Sequence, residues 1–271
     1  MPQLSSPTGE LIKTFRHGKV LVVFLLIIAI VCLALAGFVL YLKDLATVQN
    51  PPLFYGTAGL LAFISLCAFA AASWQRKLRR PHYEVYENGI AQIVGQQRDY
   101  VPFVDIEDIY LFGSGDALFS GIASNLAYRR NASEPFRRIT EHLKGSWEFI
   151  QLVRELHVRE RLPLIIDTLN AGGTTTFNYI STGQVWRKRV SGKFLDIKTQ
   201  PIHVTTTSID VPGHSIPMSN IRDVDLNAWT EKVVIQDASG KAVFSTMALG
   251  ILSSDLFLNT LGVILENKNT A

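Results

Sequence analysis

The chain has 271 residues, 48% hydrophobic and 18% charged, with a formal net charge of +3. That is apolar for a soluble protein of this size, and the length admits two modest domains, or a membrane segment followed by one or two. Its only cysteines, Cys32 and Cys67, lie in the most apolar stretches, which excludes a disulfide framework and offers no metal-ligand spacing.

Residues 20–42, "VLVVFLLIIAIVCLALAGFVLYL", contain no charge. As a helix this run spans roughly 35 Å, enough for the hydrocarbon core of a bilayer with some tilt. Residues 53–74 form a second uncharged run, and residues 43–52 with Pro51-Pro52 supply a short turn. The pattern predicts a transmembrane helical hairpin. A cleaved signal peptide is excluded for the first run by the long apolar region, the 1–19 lead and the second span. Lys13, Arg16 and Lys19 precede the first span, and Arg76, Lys77, Arg79 and Arg80 follow the second. Positive flanks stay cytoplasmic, so an inner-membrane, multi-pass protein with both termini in the cytoplasm is expected. Neither span holds an ionisable group of the kind an ion or proton path needs, so the hairpin reads as an anchor. Ala58/Ala62 and Ala68/Ala72 place small residues four apart, which suits close helix packing at the hairpin seam or in a homo-oligomer.

Beyond "RKLRRP" the pattern becomes strand-like. "HYEVYENGIAQIVG" reads as two strands about an Asn88-Gly89 turn, and "DYVPFVDIEDIYLF" as an edge or bulged strand because of Pro102. A Gly/Ser-rich loop leads to the strand "LAYRRN". "SWEFIQLVRELHVRE" has helical spacing, with Ile150, Val153 and His157 on one face, and "LPLIIDTLNAGG" reads as a second, short helix starting near Pro163. From residue 174 the spacing predicts five to seven short strands. They include a hairpin turning at Asp237 to Gly240. A closing amphipathic helix carries Leu258, Leu261 and Leu265, with Ser253 or Ser254 as its cap.

"YVPFVDIEDI" (100–109) and "SIPMSNIRDV" (215–224) share proline, isoleucine and aspartate at their third, seventh and ninth positions. Each follows a strand with an isoleucine (Ile90, Ile209) and precedes a helix, so the pair reads as one module used twice, at 82–173 and 174–271. Glu87-Asn88-Gly89-Ile90 followed by Val101-Pro102-Phe103, Ile106 and Ile109 resembles the most recognisable text of bacterial membrane proteins with pleckstrin-homology-like domains behind a transmembrane hairpin. Ser208-Ile209 with Ile216-Pro217-Met218, Ile221 and Val224 is the second copy, lacking the glycine and the aromatic. The resemblance implies an α+β fold: two tandem antiparallel β-sandwich or half-barrel modules, each closed by a helix. It implies little chemistry. In such a fold Val101, Phe103 and Ile106 face inward while the proline marks a bend.

The sequence carries no zinc-protease, thiol-redox, hydrolase or phosphate-loop motif, and no catalytic residue, cofactor or metal is expected. His142 and His157 are separated by Gly145. His203, His214 and Asp210 lie on neighbouring predicted strands and are the only polar group that would motivate an enzyme. Asp105, Glu107 and Asp108 alternate along a strand and are expected to reach solvent. Basic residues stand out: Arg76, Lys77, Arg79 and Arg80 as anionic-lipid contacts, each adding about 1 kcal/mol near a charged leaflet. Arg129, Arg130, Arg137, Arg138, Arg187, Lys188 and Arg189 form a second candidate patch. Nothing interleaves aromatics with these as single-stranded nucleic acid requires, so nucleic acid is not an expected partner. The sequence points to a non-enzymatic, membrane-anchored binding or scaffold protein whose modules take a protein, a peptide or an anionic head-group. An accessory subunit of a membrane transport or envelope complex is the alternative.

Overall fold

The computed structural model describes residues 8–45, 51–113, 124–139, 142–191, 194–227 and 232–270. Residues 114–123 of the expected Gly/Ser-rich loop, and residues 46–50 of the turn expected at 43–52, fall outside them. Two compact units are present, residues 16–82 with 93–97, and the remainder of the chain.

In the smaller unit, α1 (Val20–Leu45) and α2 (Pro51–Leu78) are the two apolar runs. Both are long and apolar enough to cross a membrane, and only 17% of each apolar window is buried. A core helix of a soluble protein would be mostly enclosed. Here Phe24, Ile27, Phe63 and Leu66 are exposed. The helices meet along Val22, Ala29 and Ala36 on α1 and Ala58, Ser65 and Ala72 on α2, all buried. A seven-residue spacing returns side chains to one face of a helix in left-handed packing, and small residues let the backbones approach. Ser65 Oγ donates to the Ala29 carbonyl at 2.7 Å inside this seam. Of the two expected alanine pairs, Ala68 and Ala72 are both buried, whereas Ala62, expected beside Ala58, is exposed; the buried positions 58, 65, 68 and 72 follow a seven-residue period split into three and four. At the open end, Arg79 donates to the Gly18 carbonyl, and His17 Nδ1 lies 2.9 Å from the Pro81 carbonyl oxygen.

The larger unit begins ahead of the hairpin. β1 (Leu11–Arg16) joins β2 (His82–Tyr86), β3 (Gly89–Val94) and β4 (Gln97–Pro102) in a sheet of order β1-β2-β3-β4. The Glu87 amide donates to the Glu10 carbonyl at 3.0 Å, and the Asn88 amide to Thr8 at 3.3 Å. A first module starting at residue 82 is therefore one strand short. β1 escapes sequence reading because only Phe15 of "LIKTFR" is buried, so the two-residue alternation is nearly absent. Gly89 is required by its neighbour strand: a Cβ there would lie 2.5 Å from the Val101 carbonyl oxygen. Pro102 ends β4, one 3-10 turn follows at Phe103–Asp105, and β5 (Asp108–Phe112), β6 (Asn125–Arg129) and β7 (Arg137–Ile139) form an antiparallel sheet.

α3 (Ser146–Asn170) is one helix through Pro163, where two had been expected. A proline inside a helix costs about 3 kcal/mol. Burial on both sides of it offsets that cost. Phe149, Ile150, Val153 and Leu156 enter the first core, whereas Ile165 and Leu169 enter the second. Gly172, at φ 79°, follows the helix end.

The order of elements then recurs. β8 (Thr175–Tyr179), β9 (Gln200–Val204), β10 (Ser208–Val211) and β11 (His214–Pro217) form a sheet of order β11-β10-β9-β8. α4 (Thr182–Ser191) lies in the β8–β9 connection, as the α1–α2 hairpin lies in the β1–β2 connection. Pro217 ends β11, a 3-10 turn follows at Met218–Asn220, and β12 (Ile221–Asn227), β13 (Lys232–Asp237) and β14 (Ala242–Met247) pair antiparallel before α5 (Ser254–Thr270).

Equivalent bonds accompany the equivalent order. The Phe103 amide donates to the Asn88 carbonyl at 2.9 Å, and the Met218 amide to Thr207 at 2.8 Å. Phe15 of β1 meets Phe149 of α3 edge-on with centroids 5.1 Å apart, and Phe177 of β8 meets Phe257 of α5 at 5.2 Å. Val101, Phe103 and Ile106 are fully buried, and Ile216, Met218 and Ile221 nearly so, so the shared Pro–Ile segment serves the core in both blocks. A third apolar cluster joins Tyr110, Phe112 and Ala127 of the first block to Ile180, Val185, Met247 and Leu252 of the second.

Candidate functional site

The basic groups divide by what they touch. Arg76, Lys77 and Arg80 are exposed, whereas Arg79 is half-buried on the Gly18 carbonyl. The second expected patch is not one surface. Arg129 is only 7% exposed, because strand register places it opposite Asp108 across β5 and β6. Arg130 reaches the Tyr100 carbonyl at 3.3 Å and Glu134 at 3.8 Å. Arg137 bridges Asp99 at 3.0 Å and Glu134 at 2.9 Å, and the bond to Glu134 holds that half-buried carboxyl below its ordinary range. Arg138 lies 5.5 Å from the Phe112 ring centre. Arg187 is exposed on α4, and the side chains of Lys188 and Arg189 lie outside the described residues.

A buried charge pair in the larger unit joins its two blocks. Asp108 is 1% exposed, although the alternation of Asp105, Glu107 and Asp108 had suggested solvent for all three; only Asp105 and Glu107 are exposed. Arg129 Nε donates to Asp108 Oδ2 at 2.7 Å, and Asn178 Nδ2 of β8 donates to Oδ1 at 2.9 Å. The Phe136 ring covers the guanidinium with its centre 4.4 Å away. Two ions taken out of water are tolerated only when paired and hydrogen-bonded in this way. Beside them sits Ser253, with a left-handed φ of 53°. Ser253, one of the two serines expected to cap α5, stands directly before the helix and its carbonyl accepts from the Phe257 amide at 3.0 Å, but its side chain does not turn to the helix. Instead Oγ donates to the Glu107 carbonyl at 3.0 Å and accepts from the Ile109 amide at 2.9 Å, while its own amide donates to Ile109 at 2.7 Å. Arg154 of α3 and Asp255 of α5 add a two-pronged ion pair, with Nη2 at 2.6 Å from Oδ1.

His157 is buried in α3, with Nε2 3.0 Å from the Ile106 carbonyl oxygen. Burial pushes its pKa down to about 4, so the ring is neutral at physiological pH. It ties the helix to the end of the Pro–Ile segment. His203 and Asp210 are partners across β9 and β10, and Thr176 Oγ1 lies 3.0 Å from His203 Nδ1. His214 is instead opposite Val211 and exposed, so strand alternation puts it on the other face from the His203–Asp210 pair. The three are not brought together. Among the described residues no group of three His, Cys, Asp or Glu is placed to hold a metal ion.

The charge pair across β5 and β6 and the Ser253 junction were not legible from spacing, since both depend on contacts between distant strands. No family model matches this chain, and no curated protein matches it.

Proposed function

We propose that the chain is a membrane-anchored binding or scaffold protein, with two pleckstrin-homology-like modules on the cytoplasmic side of an inner-membrane hairpin. The observation that carries this reading is the place of the hairpin. It is inserted between β1 and β2, neighbours in one sheet, with lipid-compatible side chains exposed along both helices. Two strands of one sheet lie on the same side of a bilayer, which two consecutive spans permit and one does not. Seven strands in a four-plus-three arrangement and a closing helix, present twice, support the tandem modules. Arg76, Lys77 and Arg80, exposed just after α2, suit an anionic head-group, while the sheet edges suit a peptide strand.

Single cysteines placed at Gln49 and at Ser239 in a cysteine-free background test the topology in intact cells. A membrane-impermeant thiol reagent labels Gln49→Cys alone if the reading holds. Labelling of Ser239→Cys overturns it. For lipid, native mass spectrometry of the full chain from phosphatidylglycerol–phosphatidylcholine nanodiscs compares the natural protein with Arg76→Gln/Lys77→Gln/Arg80→Gln. Selective loss of retained phosphatidylglycerol in the triple variant is expected; equal retention removes the head-group role.

A further inference from the structure

The two blocks part company where a closing helix passes the turn between the second and third strands. In the first block, Arg159 of α3 spans that gap and its Nη2 donates to the Glu87 carbonyl at 2.9 Å, one residue before the Asn88 carbonyl that holds Phe103. Matching Phe149 with Phe257 sets α5 against α3, and the residue in Arg159's place is Asn267. Matching Asn88 with Thr207 puts Thr206 in the place of Glu87, and Met218 stands for Phe103. A short amide replaces the long guanidinium, and an unbranched thioether replaces a rigid ring. A cavity of about 500 Å³ lies at this place in the second block. Ile166 and Leu169 of α3, Met218 and Ile264 form its apolar walls, with Thr207 and Asn267 among the polar residues of its rim, and none of the described lining residues is charged.

We infer that this cavity is a binding site for an uncharged small molecule with an apolar body and a single hydrogen-bond donor. Its volume falls in the range of small-molecule sites, which are mostly apolar with a few placed polar groups. The described lining offers no cation to offset the desolvation of a phosphate or carboxylate, whereas it suits an uncharged body. The first block shows how such a place is filled: an apolar group stands behind, and an N–H donor is aimed at the turn. Methionine suits such a wall because it repacks around different shapes. This site is separate from the head-group contacts proposed for Arg76, Lys77 and Arg80 and stands without them.

The chain has three methionines, Met1, Met218 and Met247, so methyl-13C methionine gives a simple NMR readout of the full protein in lipid nanodiscs. Met247 is buried in the third cluster and serves as an internal control. N-phenyl-1-naphthylamine, a neutral aromatic with one N–H, is the probe. The Met218 methyl signal is expected to shift saturably while Met247 stays in place. Ile264→Trp, which fills the cavity, is expected to weaken the apparent affinity at least tenfold. Asn267→Arg, which restores the first block's donor with little steric demand, is expected to weaken it severalfold. The Arg76→Gln/Lys77→Gln/Arg80→Gln protein keeps the natural affinity, which distinguishes this site from the lipid contacts. A Met218 signal that does not move, or that moves linearly with probe in the lipid, overturns the inference. Unchanged affinity in both cavity variants overturns it as well.

Discussion

Asp108 and Asp223 hold the same position in the shared Pro–Ile segment, 115 residues apart. Asp108 is buried between Arg129 and Asn178, whereas Asp223 is exposed and its carboxylate accepts from the neighbouring Val224 amide at 2.8 Å. The apolar letters behave otherwise: Ile106 and Ile221 are buried alike, and Pro102 and Pro217 each end a strand before a 3-10 turn. Repeated apolar residues encode the common framework, since core packing makes the same demand in both blocks. Polar residues at matched positions are free to diverge, and here they mark which block carries the junction. β5 faces the second block's Asn178 and Ser253, so its aspartate became structural; the aspartate of β12 did not.

The comparison breaks most visibly by removing one charge. Asp108→Ala leaves Arg129 buried without its partner and is expected to destabilise the protein by about 3–5 kcal/mol. Asp223→Ala is expected to stay within about 0.5 kcal/mol. Denaturant unfolding of the purified chain, followed by circular dichroism, measures both, and equal effects would remove the distinction. Phe15→Ala and Phe177→Ala probe whether β1 and β8 are counterparts. Each is expected to cost about 3–5 kcal/mol from lost burial and the cavity left behind. A negligible effect at Phe15 alone would detach β1 from the first block.

His157 gives a difference in pH response, because Leu265 stands at the matched position of α5. The folded-state pKa of about 4 lies below the ordinary 6.5, so protons bind the unfolded chain first as pH falls. The stabilisation is fully present above pH 6.5, declines between 6.5 and 4, and is lost below that. Its size is about 3 kcal/mol, at 1.36 kcal/mol per pKa unit. His157→Leu is expected to flatten this part of the stability profile, and an unchanged acid slope would refute the assignment. A smaller loss than at Asp108 or the two phenylalanines is expected at Ser253. Ser253→Ala loses two hydrogen bonds to the first block and keeps the left-handed φ, and is expected to cost about 1–3 kcal/mol. Ser253→Gly relieves the backbone and should recover a part of that, which thermal unfolding of the two variants compares.

The helical hairpin, the strand-rich remainder and the turn at Asp237 to Gly240 were legible, because each is written in local periodicity or turn chemistry; the inward face of Val101, Phe103 and Ile106 followed from the resembled fold. Pro163 concealed the continuity of α3, since proline's local penalty is visible in sequence and the second core that offsets it is not. The Asp108–Arg129 pair was hidden by register: nothing in the residues between β5 and β6 fixes which positions face each other. Charge runs such as Arg129-Arg130 and Arg137-Arg138 therefore looked like free surface, although Arg129 is buried on Asp108 and Arg130 and Arg137 share the Glu134 carboxylate.

The position of β1 has a consequence for how the molecule is made. Residues 17–81 separate the first strand from its sheet neighbour β2, a closure whose entropy grows with the logarithm of loop length. Antiparallel packing of α1 on α2, pinned at its open end by Arg79 on the Gly18 carbonyl, removes most of that distance before β1 and β2 pair. A closed hairpin therefore lowers the entropic cost of completing the first sheet. A misassembled hairpin leaves β2 as an open edge and Phe149 without Phe15, a state that proteases recognise readily. The strand ahead of the helices thus couples the folding of the sheet to correct assembly of the hairpin.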